Sequence, residues 1–356
     1  MNHKCNSKIK VKFLHRESFS EEANRVWLRQ FPSNIPSWGE CSFTFDPNDR
    51  FYDWLVVFHD LPVNVSDKKQ GTIENLACSS CNTMHVNYEP SSITTYGTTY
   101  LRQFSHILTS HENRYSKHKN RIHHQPGLPW FYGRNFKSGK LIYYNELASM
   151  MPRKKDQEIS TVCSSKKQKH TNHRKRYDFT NELSAIVPEL RVFGHGIKAI
   201  NDKNEALDRF RYHLCIENHI ADHHWTEKLA DSFLGYCLPL YAGCNNLNEY
   251  FPEESYIKVD LNNVNETAEV INKSIRDDLA SVRLKAVTEA RRLVLEKHNI
   301  FSVLAEKIPL LHQNCAQKQN NYEILSRPAF WKRNRISRIE CIVDKTQRKI
   351  INFLKN

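Results

Sequence analysis

RYHLCIENHIADHHWTEKLADSFLGYCLPLYAGCNNLNEYFPEESYIKVD, residues 211–260, decides the fold class. Residues 212–216 alternate apolar and polar and predict a short strand. A polar loop follows over 217–224. Residues 226–234 then have helical spacing, with Leu229 and Phe233 four apart and Gly235 where a helix should stop. Residues 238–242 are almost wholly apolar and predict a buried strand closed by Gly243. Strand, loop, helix and buried strand make a βαβ unit of a parallel sheet. Ligands of such sheets sit at the carboxyl ends of the strands, where the loop 217–224 falls.

Within that unit Lys228 occupies the first helical turn, where the helix dipole disfavours a cation by roughly 0.3–1 kcal/mol. Glu227 beside it offsets part of this. Two readings follow. Either a bound anion faces the free N–H groups and the ammonium together, or the lysine simply extends into water.

Working outward, 356 residues exceed one ordinary core and predict two domains. Apolar residues at 39% exclude wholesale disorder. A formal charge of +13 and a pI near 9.2 predict attraction to anions: nucleic acid, acidic lipid or a phosphorylated small molecule. No signal-type apolar segment opens the sequence, and no run of apolar residues reaches membrane-spanning length. Ten cysteines without such a signal predict reduced thiols in a cytosol. Cys78 and Cys81 form a lone CxxC, which reads as a solvent-side loop, half a zinc site with His85, or a redox pair.

Strand patterns recur at 9–14, 52–58, 83–88, 106–109, 159–163 and 189–194, with helical patterns at 19–29, 92–104, 173–183, 204–210 and 274–308. This alternation predicts doubly wound α/β domains. The segment 126–147 reads as loop, which puts a boundary near residue 150. The organisation expected is 1–150, a first α/β domain; 151–310, a second α/β domain; and 311–356, a basic helical region. On the long helical region Leu279, Val282, Ala286, Ala290 and Leu293 mark the expected buried side. Glu89 stands just past a strand end with Pro90 holding its backbone extended, so it reads either as a general base or as a cap on the next helix. The basic run from Arg153 to Arg176, which includes Lys166, Lys167 and Lys169, reads as a nucleic-acid patch or as a strand, charged loop and helix with Arg176 near the helix start. Residues 327–355 interleave basic and apolar side chains, as in a helix on an anionic membrane surface or one packed back on its own domain.

Cys215-Ile-Glu-Asn218, Trp225-Thr-Glu-Lys228 and Leu238-Pro-Leu-Tyr-Ala-Gly243 together resemble the donor-domain signature of the α-1,3/1,4-fucosyltransferases of glycosyltransferase family 10. That signature runs F-E-N, Y-V-T-E-K, a helix, then P-x-Y-x-G. Ser164-Ser165 with Arg176, Phe179 and Leu183 is similar to its S-N and R-x-x-F-x-x-x-L segment. The clear resemblance covers residues 155–265, with weaker support over 50–130. It implies a GT-B fold, two Rossmann-like domains facing a cleft, with added C-terminal helices. It also implies inverting transfer of fucose from GDP-fucose to a glycan hydroxyl, in lipopolysaccharide or a similar surface glycan.

By that resemblance Glu89 is the base, and Lys228 and Arg176 grip the diphosphate. Glu227 holds fucose or ribose hydroxyls, Asn218 lines the nucleotide pocket, and Ser164 and His224 complete the donor site. The departures from the pattern are His224 for its aromatic residue, Trp225 for its valine and Ser165 for its asparagine. No Asp-x-Asp motif is present, so no bound metal and no cofactor beyond the donor is expected. The remaining expectations are a glycan acceptor, an anionic membrane surface met through 327–355, no nucleic acid, and a cytoplasmic location at the periphery of the inner membrane.

Overall fold

The computed structural model describes residues 8–63, 71–87, 89–164, 173–313 and 322–354. These form two compact units, one holding the described residues up to Pro126 and from Ile300 on, the other spanning Gly127–Asn299. Ser165, Lys166, Lys167 and Lys169 of the sequence motifs lie outside the described residues.

The first unit opens with β1 (Ile9–His15) and α1 (Glu21–Leu28), whose N-cap Ser20 accepts from the Ala23 amide. Then come β2 (Ser37–Trp38), β3 (Cys41–Thr44), β4 (Trp54–Phe58), β5 (Ile73–Asn75) and β6 (Thr83–Val86). α2 (Thr98–Leu101), β7 (His106–Thr109) and β8 (Arg121–His123) complete its N-terminal part. The sheet order is β2-β3-β1-β4-β6-β7-β8, parallel except for β2. Strand β4 is buried along its whole length, as its unbroken apolar run requires. The helix expected from residue 92 starts only at Thr98. Ile93 and Thr94 instead turn back onto the Pro90 carbonyl, and Gly97 at φ +81° breaks the path.

The second unit begins earlier than the expected boundary near 150. Phe131 and Tyr132 give their amides to the buried Asp231 at 2.9 and 3.0 Å, and Gly133 gives its own to Asp202. Segment 127–150 is thereby tied to the second sheet's helices, and it holds α3 (Tyr144–Ser149), where loop was expected. Then follow β9 (Gln157–Val162), α4 (His173–Ile186), β10 (Leu190–Phe193), β11 (Phe210–Ile216), α5 (Glu227–Leu234), β12 (Leu238–Ala242) and β13 (Ile257–Lys258). All five strands are parallel, in the order β10-β9-β11-β12-β13. Residues 204–210, expected helical, hold only a 3₁₀ turn at Lys203–Ala206.

The helical region 274–308 is broken into α6 (Val264–Arg276), α7 (Leu279–Val282), α8 (Leu284–Glu296) and α9 (Ile300–Leu311). Asp278, at φ +49°, ends the first of these. The breaks rotate the apolar stripe. Val282 is 71% exposed, while Val287, Ala290, Val294 and Leu295 are buried.

The tail is no separate region 311–356. Phe301 in α9 is fully buried among Phe13, Phe31 and Phe43 of the first unit. β14 (Glu323–Leu325) pairs antiparallel with β5. α10 (Arg327–Arg333) and α11 (Arg335–Leu354) follow, with Glu340 of α11 accepting from Thr99. Two α/β units on parallel sheets, with added C-terminal helices, are the composition of the GT-B fold.

Candidate active site

The site grows from β11-α5-β12. Register pairs Tyr212 with Leu238 through Ile216 with Ala242, so both strands end at the same edge. Pro239 is tolerated there because β13 pairs only Leu240 and Tyr241, leaving the proline beyond its reach. Immediately past β11, the Glu217 side chain turns inward and is fully buried. Its carboxylate accepts from the Thr226 amide at 2.8 Å and from the Thr226 hydroxyl at 2.7 Å. Thr226 is in turn the N-cap of α5, taking the Lys228 amide on Oγ1. Gly243 closes the arrangement, because a Cβ there would meet the Tyr241 phenol and lie 2.6 Å from Glu217 Cγ.

Lys228 turns inward to carboxylates rather than extending into water. Its Nζ sits 3.0 Å from Glu227 Oε1, 3.1 Å from Thr226 Oγ1 and 3.5 Å from Glu217 Oε2, and its side chain is 22% exposed. The protein's own carboxylates therefore answer the misplaced cation. Burial works to lower the lysine's pKa, but Glu227 and Glu217 outweigh it and hold it above its ordinary value. Burial would raise Glu227, yet Lys228 and Lys203 bring it down to about 2. Glu217 goes the other way: burial dominates and keeps it above the usual carboxylate range despite Lys228.

Arg176, in the first turn of α4, reaches the same sheet edge. Its Nη1 donates to Asn218 Oδ1 at 2.8 Å and to the Ile216 carbonyl at 3.4 Å. The residue is buried, and its Nε has no hydrogen-bond partner among the described residues. Its charge is close enough to oppose that of Lys228. The basic run that contains it is thus partly internal. Lys155 Nζ likewise goes inward, bonding the Leu207 and Gly235 carbonyls at 2.8 and 2.7 Å.

Ser164 follows β9 at this edge. His224 is buried, its ring edge-on to His219 at 5.2 Å. His223 faces Tyr250 instead, Nδ1 to hydroxyl 2.6 Å. Trp225 points into the core, against Phe251, Tyr250 and His298. Beyond β12 lies a cavity of about 300 Å³, with Lys175, Ile220, Gly243, Asn245, Lys258 and Asn262 in its wall. That is the lower limit of small-molecule sites. Among the described residues no group of three His, Cys, Asp or Glu side chains could hold a metal ion.

The structure thus brings Arg176, Asn218, Glu227 and Lys228 together in the second unit. Glu89 belongs to the first, past the carboxyl end of β6, where His111 Nε2 meets its carbonyl at 2.6 Å. It caps no helix at Ser92, since none starts there. Cys78 is buried rather than solvent-side, and His85 is fully buried and bonded to Asn87. The cysteines among the described residues are all free thiols. Sequence reasoning missed two charged neighbours of this cluster, Glu217 beside Lys228 and Lys203, whose charge acts on Glu227. A charged residue directly after a buried strand was the available signal for Glu217.

Residues 152–283 match the family model described as glycosyltransferase family 10 (fucosyltransferase), C-term. An alpha-(1,3)-fucosyltransferase, FucT, of Helicobacter pylori is 28% identical over 99 residues, which are 27% of this chain and 20% of that protein. The 4-galactosyl-N-acetylglucosaminide 3-alpha-L-fucosyltransferase 9 of Homo sapiens is 32% identical over 104 residues, 28% of this chain and 29% of that one. The chain spans less than a third of the length of these curated relatives. A crystal structure of alpha1,3-fucosyltransferase with GDP-fucose aligns at 16% identity with a TM-score of 0.46, over 85% of this chain and 94% of that one. The resemblance read from the motifs is borne out for the segment matched.

Proposed function

We propose, on the premise that residues 152–283 form a C-terminal segment of glycosyltransferase family 10, that the protein is an inverting α-1,3-fucosyltransferase. It moves fucose from GDP-fucose to a hydroxyl of a surface glycan such as lipopolysaccharide. The observation that carries this reading is Arg176. A buried guanidinium whose Nε has no hydrogen-bond partner among the described residues lies at the edge where Asn218 and Lys228 also stand. An orphaned buried donor costs about 1–3 kcal/mol, which a phosphate oxygen would recover.

In this mechanism Glu89 takes the proton of the acceptor hydroxyl as that oxygen bonds to C1 of fucose. The bond from C1 to the β-phosphate oxygen breaks, and its electron pair leaves on GDP. Attack opposite the departing diphosphate inverts C1. Arg176 and Lys228 stabilise the charge gained by the leaving group, Lys228 exchanging part of its contact with Glu227 for phosphate. Glu227, held ionised, accepts from fucose or ribose hydroxyls. Asn218, Ser164 and His224 line the donor, and the cavity beside Gly243 gives room for part of the nucleoside. Charge stabilisation falls to side chains, so turnover should survive a chelator.

A second reading keeps the fold and changes the nucleotide sugar, favoured by His224 and Trp225 at motif positions where the family has other residues. Calorimetric titration separates the two. GDP should bind and UDP should not, and Arg176→Gln should abolish GDP binding while leaving the protein folded. Equal binding of both nucleotides, or GDP binding indifferent to Arg176, would remove the reading's main support.

α11 supports a peripheral place on the inner membrane, facing the cytosol. Its first half leaves Ile336, Ile339 and Ile342 exposed beside Arg335 and Arg338, while Cys341 packs inward. Among the described residues no helix is long and apolar enough to cross a membrane. Binding to anionic but not neutral vesicles, lost on Ile339→Glu, is the expected outcome; equal binding to both kinds rejects this placement.

A further inference from the structure

Glu89, Pro90 and Ser91 lie outside any strand or helix, yet two side chains from beyond β7 hold them. His111 Nε2 is 2.6 Å from the Glu89 carbonyl oxygen. That oxygen can only accept, so Nε2 carries the hydrogen. His111 Nδ1 is then an acceptor, and Asn87 Nδ2 stands 3.3 Å from it. The same Asn87 amide reaches Thr109 Oγ1 at 2.8 Å, while its Oδ1 lies 2.8 Å from His85 Nδ1. Arg121 donates to the His111 carbonyl. Two residues past Glu89, Ser91 Oγ donates to Glu112 Oε2 at 2.6 Å. Asn87, His111, Thr109 and Ser91 are all buried.

We propose that His111 is a positioning residue, which with Asn87 fixes the Glu89 main chain at the sheet edge and so sets where that carboxylate meets an acceptor hydroxyl. The inference rests on the reading of Glu89 as the base. Its logic is geometric. A segment outside the strands and helices is held by individual hydrogen bonds, and the carboxylate follows the main chain that they fix. Here the ends of β6 and β7 lend their rigidity through Asn87 and His111. A buried network of this kind tolerates no missing member, because each loss leaves a polar group without its partner. Fixing the imidazole tautomer is the role of Asn87. Without its amide, Nδ1 could take the hydrogen and leave Nε2 facing the carbonyl lone pair.

The test compares His111→Ala with His111→Gln in steady-state transfer from GDP-fucose, normalised to folded protein. The alanine variant should lose about 10- to 100-fold in kcat, the effect of a misplacement near 1 Å, with KM for GDP-fucose unchanged within about twofold. The acid limb of the kcat profile should move. Glutamine, whose amide nitrogen can reach the same carbonyl, should restore most of the rate. A wild-type kcat in His111→Ala overturns the proposal. So does a loss that glutamine fails to restore while the acid limb stays in place, since that assigns His111 to folding alone. If the alanine variant does not fold, Ser91→Ala supplies the second arm. It should lower kcat several-fold at constant KM, and a wild-type rate there counts against the clamp. Glu89→Gln keeps the two claims apart: full activity of that variant ends the reading of Glu89 as base, whereas an inactive Glu89→Gln beside a fully active His111→Ala ends only this one.

Discussion

Replacing Lys228 by methionine keeps the aliphatic stem and removes the ammonium. Glu217, fully buried, retains its bonds from Thr226 but loses the cation 3.5 Å away, and Glu227 loses the one at 3.0 Å. Removing one partner of a buried ion pair typically costs 3–5 kcal/mol, and the lower end, about 3 kcal/mol, suits a lysine still partly exposed. For a unit of this size that lowers the melting temperature by roughly 6–12 °C. The loss should depend on pH in a stated direction. Glu217 already stands above the usual carboxylate range, chiefly through burial, and without Lys228 it stands higher. A carboxyl whose folded pKa exceeds its unfolded one takes up a proton on folding, so its penalty fades as pH falls. Glu227 contributes in the opposite sense. Held to about 2 against an ordinary 4.5, it adds stability that is present above 4.5 and lost as pH falls toward 2. The variant gives up part of that stability, so the gap from wild type is widest near neutrality and narrows toward pH ~5. Thermal unfolding followed by circular dichroism at pH ~8 and ~5 reads it directly. Equal melting at pH ~8, or a gap that widens in acid, would refute the reasoning.

Gly243→Ala forces a Cβ against Tyr241 and Glu217, and overpacking of that kind should cost about 1–3 kcal/mol, read as a lower melting temperature; a neutral effect would mean the β12 end is looser than described. Phe301→Ala removes a ring stacked on Phe31 at 4.1 Å and fully buried, for an expected loss of about 3–5 kcal/mol. Hydrogen exchange should accelerate in β1 and β3 and not in β9 or β11, and acceleration confined to the second unit would contradict the assignment of α9 to the first. Acid should destabilise the wild type early. His15 is pushed down to about 4, and His59, His85 and His213 to about 3, each chiefly by burial. Their unfolded forms protonate from 6.5 downward while the folded forms stay neutral, so the melting temperature should fall as pH drops from ~7 to ~4. A flat profile over that window contradicts their burial.

The βαβ unit was legible because its signals are local: a period of two in Tyr212–Ile216, then helical spacing closed by Gly235. Other features depend on contacts that no local pattern encodes. The break at 127 comes from Asp231 capturing the Phe131 and Tyr132 amides, about a hundred residues away in sequence. Likewise, the tail rejoins the first unit through the β14–β5 ladder and the aromatic nest around Phe301. At the site, spacing exposed Lys228 as out of place but could not tell which anion answers it. The inward turn of Glu217, a carboxylate beside an apolar strand, requires the Thr226 hydroxyl and amide to be in place first. Trp225 shows the converse. The motif marked it only as a departure from valine, and its place among Phe251, Tyr250 and His298 could be read only from the fold.

The most direct test of the central claim is nucleotide release by the purified protein from a panel of GDP- and UDP-sugars, with and without a mixed glycan acceptor. GDP should appear from GDP-fucose, faster with acceptor, and neither Glu89→Gln nor Arg176→Gln should support the acceptor-dependent part. Release from a UDP-sugar instead, or from GDP-fucose at the same rate in both variants, would contradict the account.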